Sequence, residues 1–388
     1  MKKIIAISVM FVLLTGAVFA VDIGGTVIGT TTVLQGNNDP DAKVTSDFSM
    51  NRIRFEGYGE TDEGLFGGWI RLGDGGTPSF NGYAFWKPME QVKLIIGGQP
   101  DGFWGKEGVT GWGFYQTAYD TDVVIGGNVW GWGPADPSFW AGMPGFTFDG
   151  GDLNMYGHPA KFRNAFYGGQ GKDALMLEIT PADIVQINVA IPADEHSGEE
   201  TANVFQFATV QLDIKLDVGN IAITYKGGIS KEASSSGPAI DEPGALYAYF
   251  GGSFGAISLD VGLGYYMAGL DKAAKPIWVG AGVKYAADSF GVKARFLAGL
   301  AGDDKVTRVL VDVLPYFILS DSMRAYVSAG VGMLMPDGGD SWTDFHFNPY
   351  LEVGQEWGSK FLAGIKYWSE YNGEITNWAI PVALIVSF

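Results

Sequence analysis

Hydrophobic side chains alternate with polar or small ones along most of this chain, and this period of two constrains the fold more than any other feature. The clearest stretch lies at 210–226, where Leu212 and Ile214 flank Asp213. Successive side chains of a β-strand point to opposite faces of a sheet, so one face here is apolar and the other polar. The pattern therefore predicts a long meander of amphipathic strands.

Membrane-spanning helices are not expected in this chain. Beyond the N-terminus, the longest uninterrupted apolar run covers 379–386, far short of the ~20 residues that a helix needs to cross a bilayer. A chain can still enter hydrocarbon as a closed β-barrel, because such a barrel pairs every backbone N–H and C=O internally. The 58 Gly, 25 Phe, 17 Tyr and 12 Trp also favour β-structure over disorder or a helical bundle.

Residues 1–20 have the three parts of a secretory signal peptide. Lys2 and Lys3 form a positive n-region, 4–14 is an apolar h-region, and Ala20 ends a short segment with small residues where a peptidase cuts. We expect cleavage after Ala20, which leaves 21–388 as a single domain. A buried N-terminal helix or strand is the alternative.

Charge and cysteine content exclude several classes of function. The 43 acidic residues against 25 basic ones give a net charge of −18, and loss of Lys2 and Lys3 makes the mature chain −20. Such a charge argues against a nucleic-acid partner. The absence of Cys excludes disulfides, thiolate metal sites and a lipidated-cysteine anchor, and nothing in the sequence calls for a cofactor.

The alternation predicts eighteen strands between 22 and 388. Sixteen is the alternative, because the early strands alternate weakly, and strands hidden in 98–171 would raise the number. Short connections alternate with longer acidic or Gly-rich ones, the short set being 87–90, 180–183 and 217–220, and the long set 35–45, 192–201, 229–243 and 333–343. This asymmetry is typical of an all-β, transmembrane, antiparallel up-and-down β-barrel in the outer membrane. A secreted soluble sandwich is the alternative fold.

The C-terminus carries a more specific pattern. Phe388 ends the chain, and Trp378, Val382 and Val386 precede it on one strand face. This ending resembles the aromatic assembly signal of outer-membrane porins and related β-barrels of diderm bacteria, and the resemblance covers 21–388. It implies contact with outer-membrane lipid and insertion by the barrel-assembly machinery. Homo-oligomers such as trimers are common in that class, and the sequence leaves the oligomeric state open. Pro381 departs from the pattern and predicts a bulged or non-bonded position.

A barrel of sixteen to eighteen strands leaves an aqueous passage, whereas about eight strands are filled by side chains. We therefore predict a porin, a water-filled channel for passive diffusion of small hydrophilic solutes, and no enzyme. The candidate pore-lining cations are Arg52, Arg54, Arg71, Lys93, Lys215, Lys226, Lys284, Lys293, Arg295, Arg308, Arg324 and Lys366. The candidate pore-lining anions are Glu56, Glu178, Asp213, Asp260, Asp312 and Glu352. The excess of cations predicts a weak anion preference. Pairing of these charges with one another would cancel that preference.

Residues 98–171 are the least regular part of the chain. They are too long for an inert loop and hold five tryptophans, namely Trp104, Trp112, Trp130, Trp132 and Trp140. A constriction loop, as the porin resemblance suggests, and an extracellular cap are the favoured interpretations. Indole rings also stack on sugars, so a sugar-selective channel is an alternative function. A barrel scaffold for surface adhesion without an open pore is another.

Signals of catalysis are weak. Residues 251–255 match G-x-S-x-G, but that nucleophile elbow needs a following helix and another alternating strand follows here, so we interpret the match as a Gly-rich turn. His158, His196 and His346 are too scattered to predict a metal site. We expect His346 to face the lumen near acidic residues, which leaves an embedded hydrolase as a minor alternative.

Overall fold

A computed structural model of the chain describes residues 20–74, 77–97, 174–192, 208–226, 245–266, 277–300, 306–354, 359–370 and 373–387. Within these ranges the structure contains no helix capable of spanning a membrane. Nineteen β-segments are described: β1 (Ala20–Asn37), β2 (Thr45–Glu60), β3 (Phe66–Asp74), β4 (Thr77–Met89), β5 (Val92–Gly97), β6 (Ala174–Ala182), β7 (Val185–Pro192), β8 (Thr209–Leu216), β9 (Gly219–Lys226), β10 (Ala245–Phe254), β11 (Ile257–Tyr266), β12 (Ile277–Ala286), β13 (Phe290–Leu300), β14 (Val306–Ser320), β15 (Met323–Pro336), β16 (Trp342–Gly354), β17 (Lys360–Gly364), β18 (Lys366–Glu370) and β19 (Ile375–Ser387).

The segments form one closed antiparallel ring. Each segment pairs with its sequence neighbours, and β1 also pairs with β19, with Thr26 opposite Ser387. β17 and β18 are the two halves of one strand, interrupted at Ile365, because both lie between β16 and β19. The ring therefore has eighteen strands, which confirms the predicted barrel and its strand number.

The ring is complete without any strand from the long irregular segment. β5 pairs directly with β6, and Val92 lies opposite Ile179, although residues 98–173 separate the two strands in sequence. The sixteen-strand alternative and the soluble sandwich are both excluded, because each described strand has a hydrogen-bonded neighbour on both sides.

The two ends of the barrel differ as predicted. One end, here called the short-turn end, carries tight connections together with Ala20 and Ser387; these connections include 90–91, 183–184, 217–218, 255–256, 287–289 and 321–322. The opposite end carries most of the longer connections, such as 38–44, 193–208 and 227–244. Both chain ends of the described barrel thus lie on the side expected to face the periplasm.

Two predicted turns are displaced by a few residues. Pro88 and Pro181 belong to β4 and β6, and the turns follow at 90–91 and 183–184. The strand register shifts next to each proline, because proline has no N–H to give to the ladder. The prolines therefore mark a broken ladder at the end of a strand, and not the turn itself.

The two faces of the wall differ in chemistry, although the inner face also carries buried apolar side chains such as Leu314 and Leu362. Apolar side chains such as Leu259, Phe347 and Leu384 are exposed on the outer face. Polar side chains such as Gln211 and Asp312 are buried on the other, inner face of the same ring. A soluble protein would show the reverse arrangement, so the outer face is built to meet lipid.

Aromatic side chains on the outer face lie near the strand ends. Tyr285, Phe290 and Phe317 are exposed close to the short-turn end, and Tyr265 is exposed close to the opposite end. Amphipathic rings are enriched where a bilayer meets water, so these residues lie where the interfaces of a spanning barrel are expected.

Pro381 sits at a local break in the wall on both sides. On one side its partner is Thr32, and the register of β1 shifts between Thr32 and Leu34. On the other side the neighbouring strand is interrupted at Ile365, and the Ile365 N–H donates to the carbonyl of Pro349 on β16. The predicted bulge at Pro381 is therefore confirmed. The chain accommodates the missing N–H by adjusting the adjacent strands.

The orientation of the wall is testable because the chain has no cysteine to remove. A spin label on Leu259→Cys, on the outer face, should be relaxed by oxygen dissolved in lipid. A label on Lys215→Cys, on the inner face near the short-turn end, should be relaxed by a water-soluble nickel chelate. Both measurements use the refolded barrel in vesicles. Protection of the Leu259 label from both agents would contradict the assignment of the outer face.

Candidate functional site on the inner face of the barrel

The predicted pore-lining cations with described side chains all share the inner face. Their surroundings differ widely. Lys293, Arg295 and Lys366 are buried, whereas the others are partly or largely exposed, namely Arg54, Arg71, Lys93, Lys215, Lys284 and Arg324. The strands also bring Glu56, Glu178, Asp213, Asp312 and Glu352 to this face. Whether these residues line an open passage stays a prediction.

Several predicted site residues lie outside what the structure describes. The backbones of Arg52, Lys226 and Arg308 belong to β2, β9 and β14, but their side chains are not described. Trp104, Trp112, Trp130, Trp132, Trp140, His158, His196, Phe388 and the signal peptide up to residue 19 also lie outside the described residues. The constriction, cap and sugar hypotheses for 98–171 therefore stay predictions, as does the assembly signal.

A buried ionic network joins three strands of the inner face. Arg295 on β13 donates through Nε to Oδ2 of Asp312 on β14 at 2.6 Å. His346 on β16 meets the other carboxylate oxygen, Oδ1, at 2.9 Å. The side chains of Arg295 and Asp312 have no solvent exposure, and that of His346 has 1%. One carboxylate thus connects β13, β14 and β16.

The contact between Asp312 on β14 and His346 on β16 depends on a glycine in the strand between them. Gly330 on β15 lies opposite both Asp312 and His346 in the strand register. A Cβ atom at Gly330 would collide with the carboxylate of Asp312 and with the imidazole of His346. The absent side chain therefore leaves the space in which these two groups meet.

His346 is not arranged as a catalytic base. Its Nε2 is bonded to Asp312, and its Nδ1 lies 2.9 Å from the side-chain nitrogen of Asn348. These two partners fit the neutral Nε2–H tautomer, with the Asn348 amide donating to Nδ1. Because both ring nitrogens are occupied and buried, no ring nitrogen is available to activate a nucleophile.

The other weak signals of catalysis gain no support. Ser253 of the G-x-S-x-G match lies in β10, Gly255 forms the turn with a φ of +63°, and β11 follows. The nucleophile elbow therefore lacks its helix. Over the described ranges, no group of three or more His, Cys, Asp or Glu side chains is placed to hold a metal ion.

A second polar network lies on β7, β8 and β9. The side chains of Asn188 and Gln211 donate to Oδ2 of Asp213 at 3.0 and 2.8 Å. The hydroxyl of Thr224 donates in turn to Oε1 of Gln211 at 2.9 Å. Two amide groups thus bind the Asp213 carboxylate, and the Thr224 hydroxyl binds one of these amides, so this part of the wall differs from the ionic network around Arg295.

Strands β2 to β5 combine cations with aromatic rings. Arg71 bonds to Glu56 at 2.5 Å, and its guanidinium also lies 4.6 Å from the centre of the Trp69 ring. The ammonium groups of Lys87 and Lys93 lie 5.1 and 4.5 Å from the centre of the Phe85 ring. Cations placed over ring faces are attracted by the ring quadrupole, so this wall holds its positive charges against aromatic surfaces.

A further group of cations lies on the inner face at the short-turn end. We call Lys284, Lys293, Arg324 and Lys360 the short-turn cation cluster. Glu352 accepts contacts from two of its members, at 3.6 Å from Arg324 and at 3.4 Å from Lys360. One carboxylate therefore serves two cations at this point of the wall.

Sequence reasoning missed some charged residues of the inner face. Lys87 and Lys360 stand at strand ends, where alternation is hard to read, and each is followed or preceded by a turn. Glu60 accepts a hydrogen bond from the Tyr58 hydroxyl at 2.8 Å, and Asp344 accepts one from Ser369 at 2.9 Å. If the two faces had been assigned by counting residues from the turns into each strand, both lysines would have been placed on the inner face.

These features define the class. A closed ring of eighteen antiparallel strands, with an apolar outer face and an inner face that carries the ionisable side chains, is a porin-like β-barrel. Such a barrel belongs in the bacterial outer membrane, because a closed ring leaves no open sheet edge within the hydrocarbon.

Solved outer-membrane porins have a similar fold. The anion-selective porin from Comamonas acidovorans aligns with a TM-score of 0.51 at 9% identity, over 95% of this chain and 100% of that chain. The outer membrane channel DcaP of Acinetobacter baumannii gives 0.49 at 11% identity, over 96% and 98% of the two chains. OmpF of Salmonella typhi, in complex with Daunomycin, gives 0.48 at 11% identity, over 94% and 97%. The first of these values supports a shared fold with the Comamonas porin, and that likeness is one of fold alone.

Comparison of the sequence with protein-family models and with curated proteins gives no match in either case.

The buried ion pair should show its cost when one partner is removed. Asp312→Ala leaves Arg295 buried without its carboxylate, so we expect a loss of about 3–5 kcal/mol in the free energy of unfolding. The double variant Arg295→Met with Asp312→Leu removes both charges, so its free energy of unfolding should fall much less than that of Asp312→Ala. Glu56→Ala removes a partly exposed pair and should cost about 1 kcal/mol or less. Urea unfolding in lipid measures the free energy of unfolding of all three variants. Equal losses in the three would show that burial of the pair between Arg295 and Asp312 does not matter for stability.

The role of Gly330 can be tested with a matched glycine. Gly330→Ala places a methyl group where Asp312 and His346 meet. We expect the free energy of unfolding to fall by roughly 3 kcal/mol, because the site becomes overpacked and the hydrogen bond between Asp312 and His346 is broken. Gly57→Ala is the control, because its Cβ would meet Ile70 at an ordinary 3.4 Å. Similar stability of the two variants in urea unfolding would show that Asp312 and His346 do not depend on the space at Gly330.

Proposed function

We propose that this chain is an outer-membrane porin, a water-filled channel for passive diffusion of small hydrophilic solutes, with a weak preference for anions. One observation carries the proposal: eighteen strands close into a ring whose inner face bears the ionisable side chains. Barrels of 16–18 strands are wide enough to leave an aqueous passage.

The anion preference rests on how charges are matched on the inner face. Glu56 lies 3.9 Å from Arg54 and also bonds to Arg71, so one carboxylate serves two guanidinium groups. Glu352 is likewise shared by Arg324 and Lys360. By contrast, the charge of Asp312 is balanced by the single arginine Arg295 with which it forms an ion pair. Charges that face a narrow passage act on ions at close range, so they outweigh the net charge of −18 carried by the whole chain.

The alternatives have less support. A sugar-selective channel depends on tryptophans that lie outside the described residues. An adhesion scaffold without a pore needs no polar inner face, yet this barrel places Arg, Lys, Asp and Glu there. The arrangement of His346 gives no support to an embedded hydrolase.

Several partners follow from the same proposal. The exposed apolar side chains of the outer face would contact outer-membrane lipid, and the C-terminal strand β19 would be recognised by the barrel-assembly machinery. Removal of residues 1–20 as a signal peptide would precede assembly. The outer face would also allow association into a homo-oligomer. We propose no nucleic-acid partner and no cofactor.

The decisive measurement is the conductance of the purified, refolded chain in a planar lipid bilayer. We expect stepwise ohmic channels, and a reversal potential in a salt gradient that corresponds to a modest excess of anion over cation permeability. Glu352→Gln removes a carboxylate that two cations share and should raise the anion preference. The absence of channels would favour the adhesion scaffold, and a clear cation preference would overturn the anion proposal.

A further inference from the structure

Three prolines lie in the interior of strands in one part of the wall. They are Pro315 on β14, Pro349 on β16 and Pro381 on β19. The other prolines of the described strands lie at or next to strand ends, namely Pro78, Pro88, Pro181, Pro192 and Pro336. Proline gives no N–H to a ladder, so it is rarely found inside a strand that has neighbours on both sides. Three such residues in one part of the barrel call for a physical explanation.

Each interior proline interrupts the ladder on one side and leaves it intact on the other. Pro315 stays paired with β13, Pro349 with β15 and Pro381 with β1. On the opposite side, two consecutive residues are missing from the register: 314–315 towards β15, and 348–349 and 380–381 towards the strand made of β17 and β18. The nitrogen of each proline therefore faces the interrupted side.

The three gaps lie on one line across the barrel. Val327 on β15 lies opposite Pro349, and the register on either side of the gap between β14 and β15 places Pro315 opposite Val327. On the far side of Pro349, the N–H of Ile365 donates to the carbonyl of that proline at 3.0 Å. Pro381 lies on the next strand, where the pairs of β19 stop beside Ile365. The ladder is therefore weakened at one level from β14 to β19.

Every gap also leaves a carbonyl without its ladder donor. In a hydrogen-bonded pair of an antiparallel ladder, each residue receives an N–H from the residue that faces it. The three prolines cannot return one, so the carbonyls that lose a donor are those of Val327, Gly364 and Ile365. These positions are several residues from either end of the wall, within the span that crosses hydrocarbon, where a lost backbone bond is most costly. The wall should therefore be easiest to deform there.

The strand made of β17 and β18 is weakened on both sides. Residues 364–365 face the gap beside Pro349 on one edge and the gap beside Pro381 on the other. The bond from the Ile365 N–H to Pro349 remains, but Ile365 belongs to neither β17 nor β18. The neighbouring strands keep an intact ladder on one of their sides at this level. Of the strands in the line, this one thus has the least backbone support.

The two segments of this strand are held by separate contacts. In β18, the hydroxyl of Ser369 donates to Oδ1 of Asp344 on β16 at 2.9 Å. In β17, Nζ of Lys360 lies 3.4 Å from Oε2 of Glu352, which is also on β16. Two anchored segments with a weakly paired joint between them are the elements of a hinge.

We infer that residues 364–365 form a hinge in the barrel wall, at which β17 and β18 bend relative to each other and change the width of the lumen beside them. Gly364 suits a joint, because a residue without a side chain has more backbone freedom. β18 also places Lys366 on the inner face, and its ammonium lies 4.3 Å from the centre of the Trp368 ring. Bending of β18 therefore moves a charged and an aromatic group together.

This inference deepens the proposed function, because a change of lumen width alters transport in an open channel. The hinge itself rests on the backbone register and not on the presence of a pore. A measurement of backbone mobility and a measurement of conductance therefore separate the hinge from the porin.

Hydrogen exchange of the refolded barrel in detergent, followed by mass spectrometry, tests the hinge. Backbone amides of 360–370 should exchange at least about tenfold faster than those of β11, a strand that is paired along its length on both sides. The double variant Pro349→Ala with Pro381→Ala supplies donors for the carbonyls of Ile365 and Gly364. Exchange at 360–370 should therefore slow by roughly tenfold.

Pro88→Ala is the matched control. Pro88 lies next to the end of β4, away from the line of gaps, so its replacement should leave exchange at 360–370 as in the wild type. All variants are first checked for the β-sheet circular dichroism of the wild-type barrel. If the double variant does not refold, Pro349→Ala alone gives the same comparison with a smaller slowing. Exchange at 360–370 that is as slow as in β11, or that the alanines do not slow, overturns the hinge.

Single-channel recording in a planar bilayer tests the effect on the lumen. The wild type should switch between two open current levels, and the double alanine variant should stay mainly in one. Fast exchange that the alanines slow, in a chain that forms no channels, supports the hinge and overturns the porin. Channels together with slow exchange at 360–370 overturn the hinge and leave the porin standing. A single open level together with fast exchange overturns the inferred change of lumen width.

Discussion

The pairing of every backbone N–H and C=O within the wall is the constraint on which the whole structure depends. In hydrocarbon, an unpaired peptide group costs several kcal/mol, so a sheet in a membrane must have no open edge. The pairing of β1 with β19 removes the edge that the first and last strands would otherwise expose. Pro381 threatens this pairing from within. The bulge in β1 and the interruption at Ile365 confine the disturbance to one place.

Closure also decides where polar side chains can go. Since the outer face meets lipid, each strand must direct its charged residues inward, where they meet one another at close range. Asp312 therefore bonds to residues of two other strands, and Gly330 is needed because the strand between them must contribute no side chain there. Neither requirement would arise in a soluble sandwich, where the same carboxylate would point into water.

Much of the fold could be predicted from the sequence, because the constraint acts on single strands. Alternation at Leu212, Asp213 and Ile214 reports two faces without any knowledge of the neighbouring strand. Register and partnership are different, since they depend on residues far away in sequence. That Lys360 reaches Glu352, or that Lys284 lies opposite Lys293, follows from turn lengths and bulges, which shift pairing by one residue at a time. The turn prediction at Pro88 and Pro181 was displaced because proline is the sequence signal both of a turn and of a break in the hydrogen-bond ladder.

The same distinction explains why a count of charges predicts selectivity poorly. The sequence places twelve cations against six anions in the expected lumen, but such a count treats all of them alike. In the barrel, Arg295 is committed to a buried carboxylate, and Arg71 is held by Glu56 and the Trp69 ring. In the proposed channel, a passing ion would respond to the charge that remains after such pairing, and this residual charge is set by register. The net charge of −18 therefore does not by itself decide the proposed ion preference, which depends on how the charges of the inner face pair with one another.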